Sequence, residues 1–224
     1  MIKVENIEVH GFETAIRGMR NPLNSWAKSD SYYTHIEDTE TLETANFEFF
    51  VGDNDLKLMQ KLCKAGSDHR KFLRMINVTM DIIAPLYWWK EYDTYKVSTV
   101  TNSCSTMHRI HAKPFTRDDF SCERMSGDGL ALLTEHVIPF LEDCRQWYNT
   151  EKNPNIKRIY WDDIIQTLPS SYNQRRTVQL NYEVLLNMYH ARKVHKLDEW
   201  VELCKVIETL PYFEDICLNN NDDA

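Results

Sequence analysis

The sequence predicts an α+β fold, a β-sheet carrying long helices, with helices dominating the second half. Three observations support this. Between Ile76 and Ile83, Ile76, Val78, Met80 and Ile82 alternate with Asn77, Thr79 and Asp81, the period-two pattern of a half-buried strand. Residues 53–66 instead bring Leu56, Met59, Leu62 and Cys63 onto one helical face. Residues 196–209 do the same with Leu197, Trp200, Val201, Cys204 and Ile207, and Pro211 follows as a stop.

The remaining elements follow in chain order. Pro22 to Ala45 is polar and rich in Ser, Thr and acidic residues, and reads as a long loop. In helix 53–66, Asp53 or Asn54 is the expected cap, accepting from an early backbone N–H. Gly66 supplies the left-handed residue at its end. Ala84-Pro85 opens a helix over Leu86 to Tyr92, because the first turn does not need the N–H that proline lacks. Trp88 and Trp89 are its packing groups. Val97 to Thr106 is a second β-like stretch. Residues 128–149 read as a long helix in which Pro139 predicts a kink or an early break. Residues 170–194 and 196–209 read as two more helices. No Pro/Gly/Ser-rich linker and no repeat divides the chain, so residues 1–218 are expected to form one domain with a frayed tail at 219–224.

Bulk properties restrict the function. A formal net charge of −8 over 224 residues is the wrong sign for a nucleic acid polymer, which needs a basic stripe. A small anion needs only a few local donors and stays open. No run of about 18 apolar residues exists, so no membrane span is expected. The six cysteines form no C-x-x-C pair and the chain starts without a signal-peptide pattern. Free thiols in a reducing, cytoplasmic compartment are the expectation.

There is no P-loop, no G-x-G-x-x-G and no H-E-x-x-H. His108 and His111 have a short metal-like spacing, but no Cys pair or carboxylate cluster completes a site, and no metal is expected. Asp118-Asp119 and Asp162-Asp163 read as acids at helix starts.

Four segments are candidates for ligand contact. Arg17 to Trp26 holds two arginines, two asparagines and a Trp, and is either a turn with solvated charges or an anion loop. Asp68 to Arg74 is either a solvated helix face or a phosphate-contacting one, since Arg offers a planar fork. Arg175-Arg176 read as a helix start, where they oppose the dipole and point to an anionic ligand. Val97 to Thr106 is dense in hydroxyl and amide groups that bond without charge, as a ligand site or a plain Ser/Thr strand would.

This last stretch also carries a resemblance. The strand ending near Asp81, the helix to Tyr92, and then Asp93-Thr-Tyr-Lys-Val-Ser98-Thr-Val-Thr-Asn-Ser103-Cys-Ser105 resemble the flavin-dependent thymidylate synthases. Their signature runs R-H-R-x-x-S-x-x-x-x-S-x-R. Both serines keep that spacing, while the R-H-R reads Asp93-Thr94-Tyr95 and the last Arg reads Ser105. Further on, Leu168-Pro169, Arg175, Asn181, Ala191-Arg192 and Pro211 follow the family's order, although its Asn-x-Arg reads Asn181-Tyr182-Glu183 and the Arg of its last helix reads Glu202. The resemblance covers roughly residues 50–213.

What the resemblance implies is a thymidylate synthase-complementing (ThyX-like) fold and reductive methylation of dUMP. Methylenetetrahydrofolate would give the carbon, reduced FAD the hydride, and NADPH would reduce the flavin. Position by position, Ser103 and Ser105 would lie near the pyrimidine nucleotide, Lys90 near its base, and Arg175 at its phosphate. Asp81, Thr94, Tyr95, Lys96 and Ser98 would lie along the flavin, with His190 and Arg192 closing it. Ser103 carries the catalytic assignment, although no adjacent His is evident to deprotonate it. The family assembles as homotetramers. Arg17, Arg20, Arg70 and Arg74 are candidates for replacing the lost positive charge; the family pattern does not assign them. A related pyrimidine modification, a nucleotide-binding or structural homologue without synthase activity, and a partner-binding scaffold are the other readings.

Overall fold

The structure, a computed structural model, describes residues 2–36 and 46–219. Residues 37–45 of the expected loop and 220–224 of the expected tail lie outside the described residues. In chain order the elements are β1 (Lys3–His10), α1 (Phe12–Arg20), β2 (Tyr32–Ile36), β3 (Asn46–Phe50), α2 (Asp53–Lys64), β4 (Asn77–Pro85), α3 (Leu86–Tyr92), β5 (Val100–Ser103), α4 (Thr106–Arg109), α5 (Gly127–Ala131), α6 (Ile138–Thr150), α7 (Pro154–Thr167), β6 (Asn173–Asn181), α8 (Tyr182–Arg192) and α9 (Asp198–Glu208). The main sheet has the strand order β1-β4-β6-β5, and β2 and β3 form a separate antiparallel pair. The expected α+β class holds.

The chain divides into two compact units. The first comprises Met1–Glu5, Met80–Val178 and Leu197–Glu199, and the second Asn6–Thr79, Gln179–Lys196 and Trp200–Ala224. Strands β1, β4 and β6 each pass from one into the other.

In the first unit, Met80, Ile82 and Ala84 of β4 are buried, as the alternation predicts. Pro85 closes that strand and sits at the N-cap of α3 rather than in its first turn. The helix start is satisfied by backbone instead: Leu86 N donates to Tyr172 O at 3.0 Å and Tyr87 N to Ser170 O at 2.9 Å. Trp88, Trp89 and Tyr92 are buried and pack edge-on or tilted, with ring centroids 4.8–5.3 Å apart. A second cluster joins Ile110, Phe120, Leu133, Leu141, Cys144 and Ile164.

Three elements differ from expectation. The helix over 128–149 is interrupted by a π segment at Leu132–Val137, immediately before Pro139, whose missing N–H cannot continue an α ladder. The second β-like stretch shrinks to Val100–Ser103. Residues 170–194 are not one helix but β6 followed by α8. Gln174, Val178 and Leu180 are buried on β6, and Asn181 then caps α8 by accepting from Val184 N at 3.1 Å. The adjacent arginines hide this periodicity in the sequence. Helix α7 is an addition to the expected elements; Asn153 caps it, accepting from Asn155 N at 3.0 Å, and Pro154 opens it.

In the second unit, α1 buries Phe12, Ala15, Ile16, Met19 and Arg20, the spacing of one helical face. Gly11 precedes it at φ 105°, where a Cβ would lie 2.1 Å from the Met75 carbonyl oxygen, so only glycine fits. Phe12 meets Tyr182 edge-on at 5.8 Å, and Tyr182 meets Phe213 at 5.2 Å. The expected loop 22–45 is corrected in its described part. Tyr32–Ile36 is a strand, with Tyr32 opposite Phe50 and Tyr33 opposite Phe49. These aromatic pairs, 5.2 and 5.0 Å between centroids, join a segment read as loop to one that follows it in the chain.

Helix α2 ends at Gly66 with φ 101°, as expected, but neither Asp53 nor Asn54 caps it. Asp30 does so from outside, accepting from Asn54 N at 2.9 Å and Asp55 N at 3.1 Å. That frees Asp55 to point inward. Fully buried, it accepts from Arg20 Nε at 2.6 Å, from the Ser29 and Ser31 hydroxyls at 2.7 Å each, and from the backbone N–H groups of Asp30 and Ser31 at 3.1 and 3.2 Å. Burial by itself would raise the Asp55 carboxyl, yet these donors outweigh it and hold the group below its ordinary value.

Asp55→Ala leaves Arg20 buried and unpaired, and is expected to cost about 3–5 kcal/mol in urea unfolding near neutral pH. A depressed folded pKa gives stability that is present above the unfolded value, 3.8, and is lost as the pH falls through the folded one. The gap between wild type and variant should therefore be constant near neutrality and shrink in acid, as urea midpoints measured down the pH scale will test.

Candidate functional site

Strand β6 organises the first unit's candidate site, because adjacent residues on a strand face opposite ways. On one side, Arg175 Nη2 donates to Asp81 Oδ2 at 2.9 Å and to Glu5 Oε2 at 3.1 Å, while the Thr177 hydroxyl donates to Asp81 Oδ1 at 2.6 Å. The hydrogen bond to Asp81 is the main cause raising the Arg175 pKa. On the other side, Arg176 lies 4.2 Å over the Trp89 ring, with Nη1 donating to Asp93 Oδ1 at 2.6 Å and Nε to Gln174 Oε1 at 3.0 Å. Neither arginine sits at a helix start, contrary to expectation, so no helix dipole opposes them. Each is held by carboxylate, and Arg175 keeps 43% of its side chain exposed against 13% for Arg176.

The neighbouring strand end is tied to β6 by backbone. Cys104 N donates to Arg175 O at 2.9 Å, and Gln174 Nε2 to Cys104 O at 2.8 Å. This presents Ser103 at the exposed end of β5. Among the described residues no side chain hydrogen-bonds its hydroxyl, so no base is in place to activate it. The Ser105 hydroxyl serves its own helix, capping α4 by accepting from His108 N at 3.0 Å.

The segment before β5 is mostly exposed. The Thr94 hydroxyl donates to Glu91 O at 2.7 Å, and Tyr95 is half-buried. Ser98 adopts φ 59°, a left-handed conformation uncommon for a residue with a Cβ and the kind of strain that gathers at ligand sites. Lys90 on α3 and Lys96 are exposed, and among the described residues neither has a carboxylate partner. Asp81, Lys90, Thr94–Ser98, Ser103, Ser105 and Arg175 thus share the first unit. His190 and Arg192 lie on α8 in the second. There the Arg192 guanidinium stands 4.7 Å over Trp200, with Nη1 3.0 Å from His195 Nε2. The His190 imidazole falls below its ordinary pKa, through desolvation first and then repulsion from Lys193 and Arg70.

The four arginines considered as replacement charge separate clearly. Arg20 is spent on Asp55. Arg70 forms a two-pronged pair with the buried Glu183, Nε to Oε2 at 2.9 Å and Nη2 to Oε1 at 3.1 Å, so it holds α8 instead of a phosphate. Glu183 stands where the family's Asn-x-Arg would place an Arg. Arg74 is exposed. Arg17 is exposed on α1 and lines a cavity of about 530 Å³ with Ile16, Trp26, Tyr32, Tyr33 and Phe49. The Trp26 indole N–H donates to Asn21 Oδ1 at 2.8 Å, and the Tyr33 hydroxyl to Glu13 Oε2 at 3.1 Å, so both rings are anchored.

The sequence matches no protein-family model, and no curated protein matches it. Solved structures do match. Thymidylate synthase X (ThyX) from Helicobacter pylori, crystallised with FAD and dUMP, superposes with a TM-score of 0.64 at 16% identity, covering 96% of each chain. A second structure of the same enzyme, described as flavin-dependent thymidylate synthase complexed with FAD and dUMP, gives 0.63 at 17% identity over 95% of this chain and 96% of that one. A UMP/dUMP methylase, PolB from Streptomyces cacaoi, bound with 5-Br dUMP, gives 0.56 at 13% identity over 93% and 89%. The fold is ThyX-like. Asp93, which the resemblance aligns with the first Arg of the signature, holds Arg176. The sequence marks Asp93 as a departure, but its partnership with Arg176 over Trp89 depends on β6 being a strand.

If Arg70 is a structural group, Arg70→Met should lower stability by about 3 kcal/mol, because Glu183 is left buried and unpaired. Arg17→Met, at an exposed position without an ion pair among the described residues, should stay within about 0.5 kcal/mol of wild type. Parallel urea titrations decide between them.

Proposed function

We propose that this chain is a ThyX-like enzyme that reductively methylates dUMP, taking the carbon from methylenetetrahydrofolate and using FAD and NADPH. The observation that carries the reading is the likeness in fold, over nearly the whole chain, to a protein crystallised with FAD and dUMP. The Ser98 and Ser103 spacing supports it, as does the left-handed Ser98. Assembly as a homotetramer in the cytoplasm belongs to the same reading.

The residues fit a flavin nucleotide in part. Thr94, Tyr95, Ser98 and the backbone between them offer neutral hydrogen-bonding groups, and Lys96 offers a cation without a carboxylate partner among the described residues. Asp81, His190 and Arg192 complete the set by resemblance. Bound FAD would supply the hydride chemistry, which the protein scaffold itself cannot. The chain's own contribution is binding and orientation. Ser103 and Ser105 lie by the pyrimidine, Lys90 by its base, and Arg175 at the phosphate. To take a phosphate, Arg175 exchanges Asp81 and Glu5 for it, one charge-assisted set for another. Ser103 orients the nucleotide and does not attack it, since among the described residues no base reaches its hydroxyl.

A second reading is favoured by one specific observation. Asp93 places a carboxylate where the signature has its first Arg, and acids hold both arginines of β6. That arrangement suits a nucleotide-binding homologue without synthase activity, or an enzyme making a related pyrimidine modification such as hydroxymethylation.

Purified protein should show flavin absorbance at about 450 nm or gain it on FAD titration, and dUMP should strengthen FAD binding. Arg175→Met is expected to weaken the dUMP effect about tenfold. Tritium release from 5-labelled dUMP, with methylenetetrahydrofolate and NADPH, measures substitution at C5, and the product's mass separates a methyl from a hydroxymethyl group. FAD binding without tritium release selects the homologue without synthase activity, tritium release with a hydroxymethylated product selects the related modification, and no FAD binding with or without dUMP removes the redox reading.

A further inference from the structure

In the first unit, the start of α7, the end of α6 and α4 enclose a cavity of about 520 Å³. Its wall includes His108, His111, Lys157, Arg158, Tyr148 and Trp161, and among the described residues no carboxylate lines it. In a chain of net charge −8, such a gathering of basic groups is not a by-product of composition. Lys157 and Arg158 share this wall, and among the described residues only Arg158 pairs with a carboxylate, that of Asp162.

The groups are held in place. The Lys157 ammonium lies 4.6 Å from the Tyr148 ring centroid and, among the described residues, has no ion pair. The His111 ring packs 4.5 Å from the same Tyr148. Arg158 stacks 4.2 Å over Trp161, whose indole N–H donates to Met107 O at 3.0 Å; it also pairs with Asp162 at 3.0 Å. His111 Nδ1 is buried without a hydrogen-bond partner. A bare ring nitrogen is cheaper to bury there than an N–H, which leaves Nε2 as the donor of the His111 ring. Burial, and then Lys157, Arg109 and Arg145, hold the imidazole neutral by lowering its pKa.

We propose that this cavity binds a small phosphate ester, its phosphate held by Lys157 and the two imidazoles and its organic part against Trp161 and Met107. Donors carried by α7 and by the segment from His108 to His111 suit an anion with three free oxygens. The volume is that of a small-molecule site, far more than a bare ion fills.

Calorimetric titration of the full chain with ribose 5-phosphate, AMP, adenosine and inorganic phosphate tests this. Both esters should bind at least about tenfold more tightly than inorganic phosphate or adenosine, and Lys157→Met should weaken them about tenfold. His111→Phe should weaken them too while keeping or raising Tm, because it removes the orphaned nitrogen; a purely packing role would lower Tm and leave affinity alone. Should His111→Phe fail to fold, Lys157→Met decides. Ester affinities no better than about 1 mM, equal affinity for inorganic phosphate, or binding unchanged in Lys157→Met would each overturn the proposal.

Discussion

The Asp55 carboxylate is the constraint on which the second unit's architecture turns. A buried carboxylate without donors would be protonated or expelled to solvent. This one gathers the guanidinium of Arg20, two hydroxyls and two backbone N–H groups. Arg20 in turn donates to Ser25 O and Lys28 O, both at 3.2 Å. A polar stretch with little apolar character of its own is thereby fixed between α1 and α2. Ser31 also precedes β2, so the same carboxylate helps set where the Tyr32 and Tyr33 pairings with Phe50 and Phe49 begin. Such a pair contributes little net stability compared with an apolar contact of equal volume, but it is costly to break. Its effect is to specify one path for the chain, and the cavity beside Arg17 takes its shape from that path.

The same balance of charge governs β6. Arg175 and Arg176 are adjacent in sequence and point to opposite faces, and each face supplies its own acids. Asp81 and Glu5 take the first, and Asp93 the second. The ThyX-like fold is thus retained with its strand arginines internally neutralised. Fold and charge pattern separate cleanly here. The backbone order follows from buried apolar alternation, which tolerates substitution.

Legibility in the sequence divides along that line. Strand β4, helices α2, α3 and α9, and the Gly66 terminus are readable because burial there follows a single period. Pro139 correctly marks an irregularity. Helix α1 has a clean helical face, but Arg17 and Arg20 give its segment the look of a charged loop. Strand β6 reads as helix because Gln174 and Arg176 occupy positions that an apolar residue would have made obvious. Strands β2 and β3 depend on cross-strand aromatic pairs, which no local window contains. The spacing of Ser98 and Ser103 is legible as motif, whereas the partners of Arg20, Arg70, Arg175 and Arg176 are not. Each of these arginines has a partner tens of residues away, and an arginine looks alike in sequence whether it serves a fold or a ligand.

Partnership therefore discriminates function better than residue type does. Some cations of this chain are held by carboxylates, and others are left open to solvent or a cavity. Arg20, Arg70, Arg175 and Arg176 are all claimed by acids. Arg17, Lys90, Lys96 and Lys157 have no carboxylate partner among the described residues, and each is exposed or lines a cavity. An anionic ligand meeting Arg175 must first displace carboxylates, whereas one meeting Lys90, Lys96 or Lys157 displaces only water. The cost of seating an anion at Arg175 lies in that exchange and not in the fold. The anions this chain binds most readily should be those that reach the unclaimed lysines.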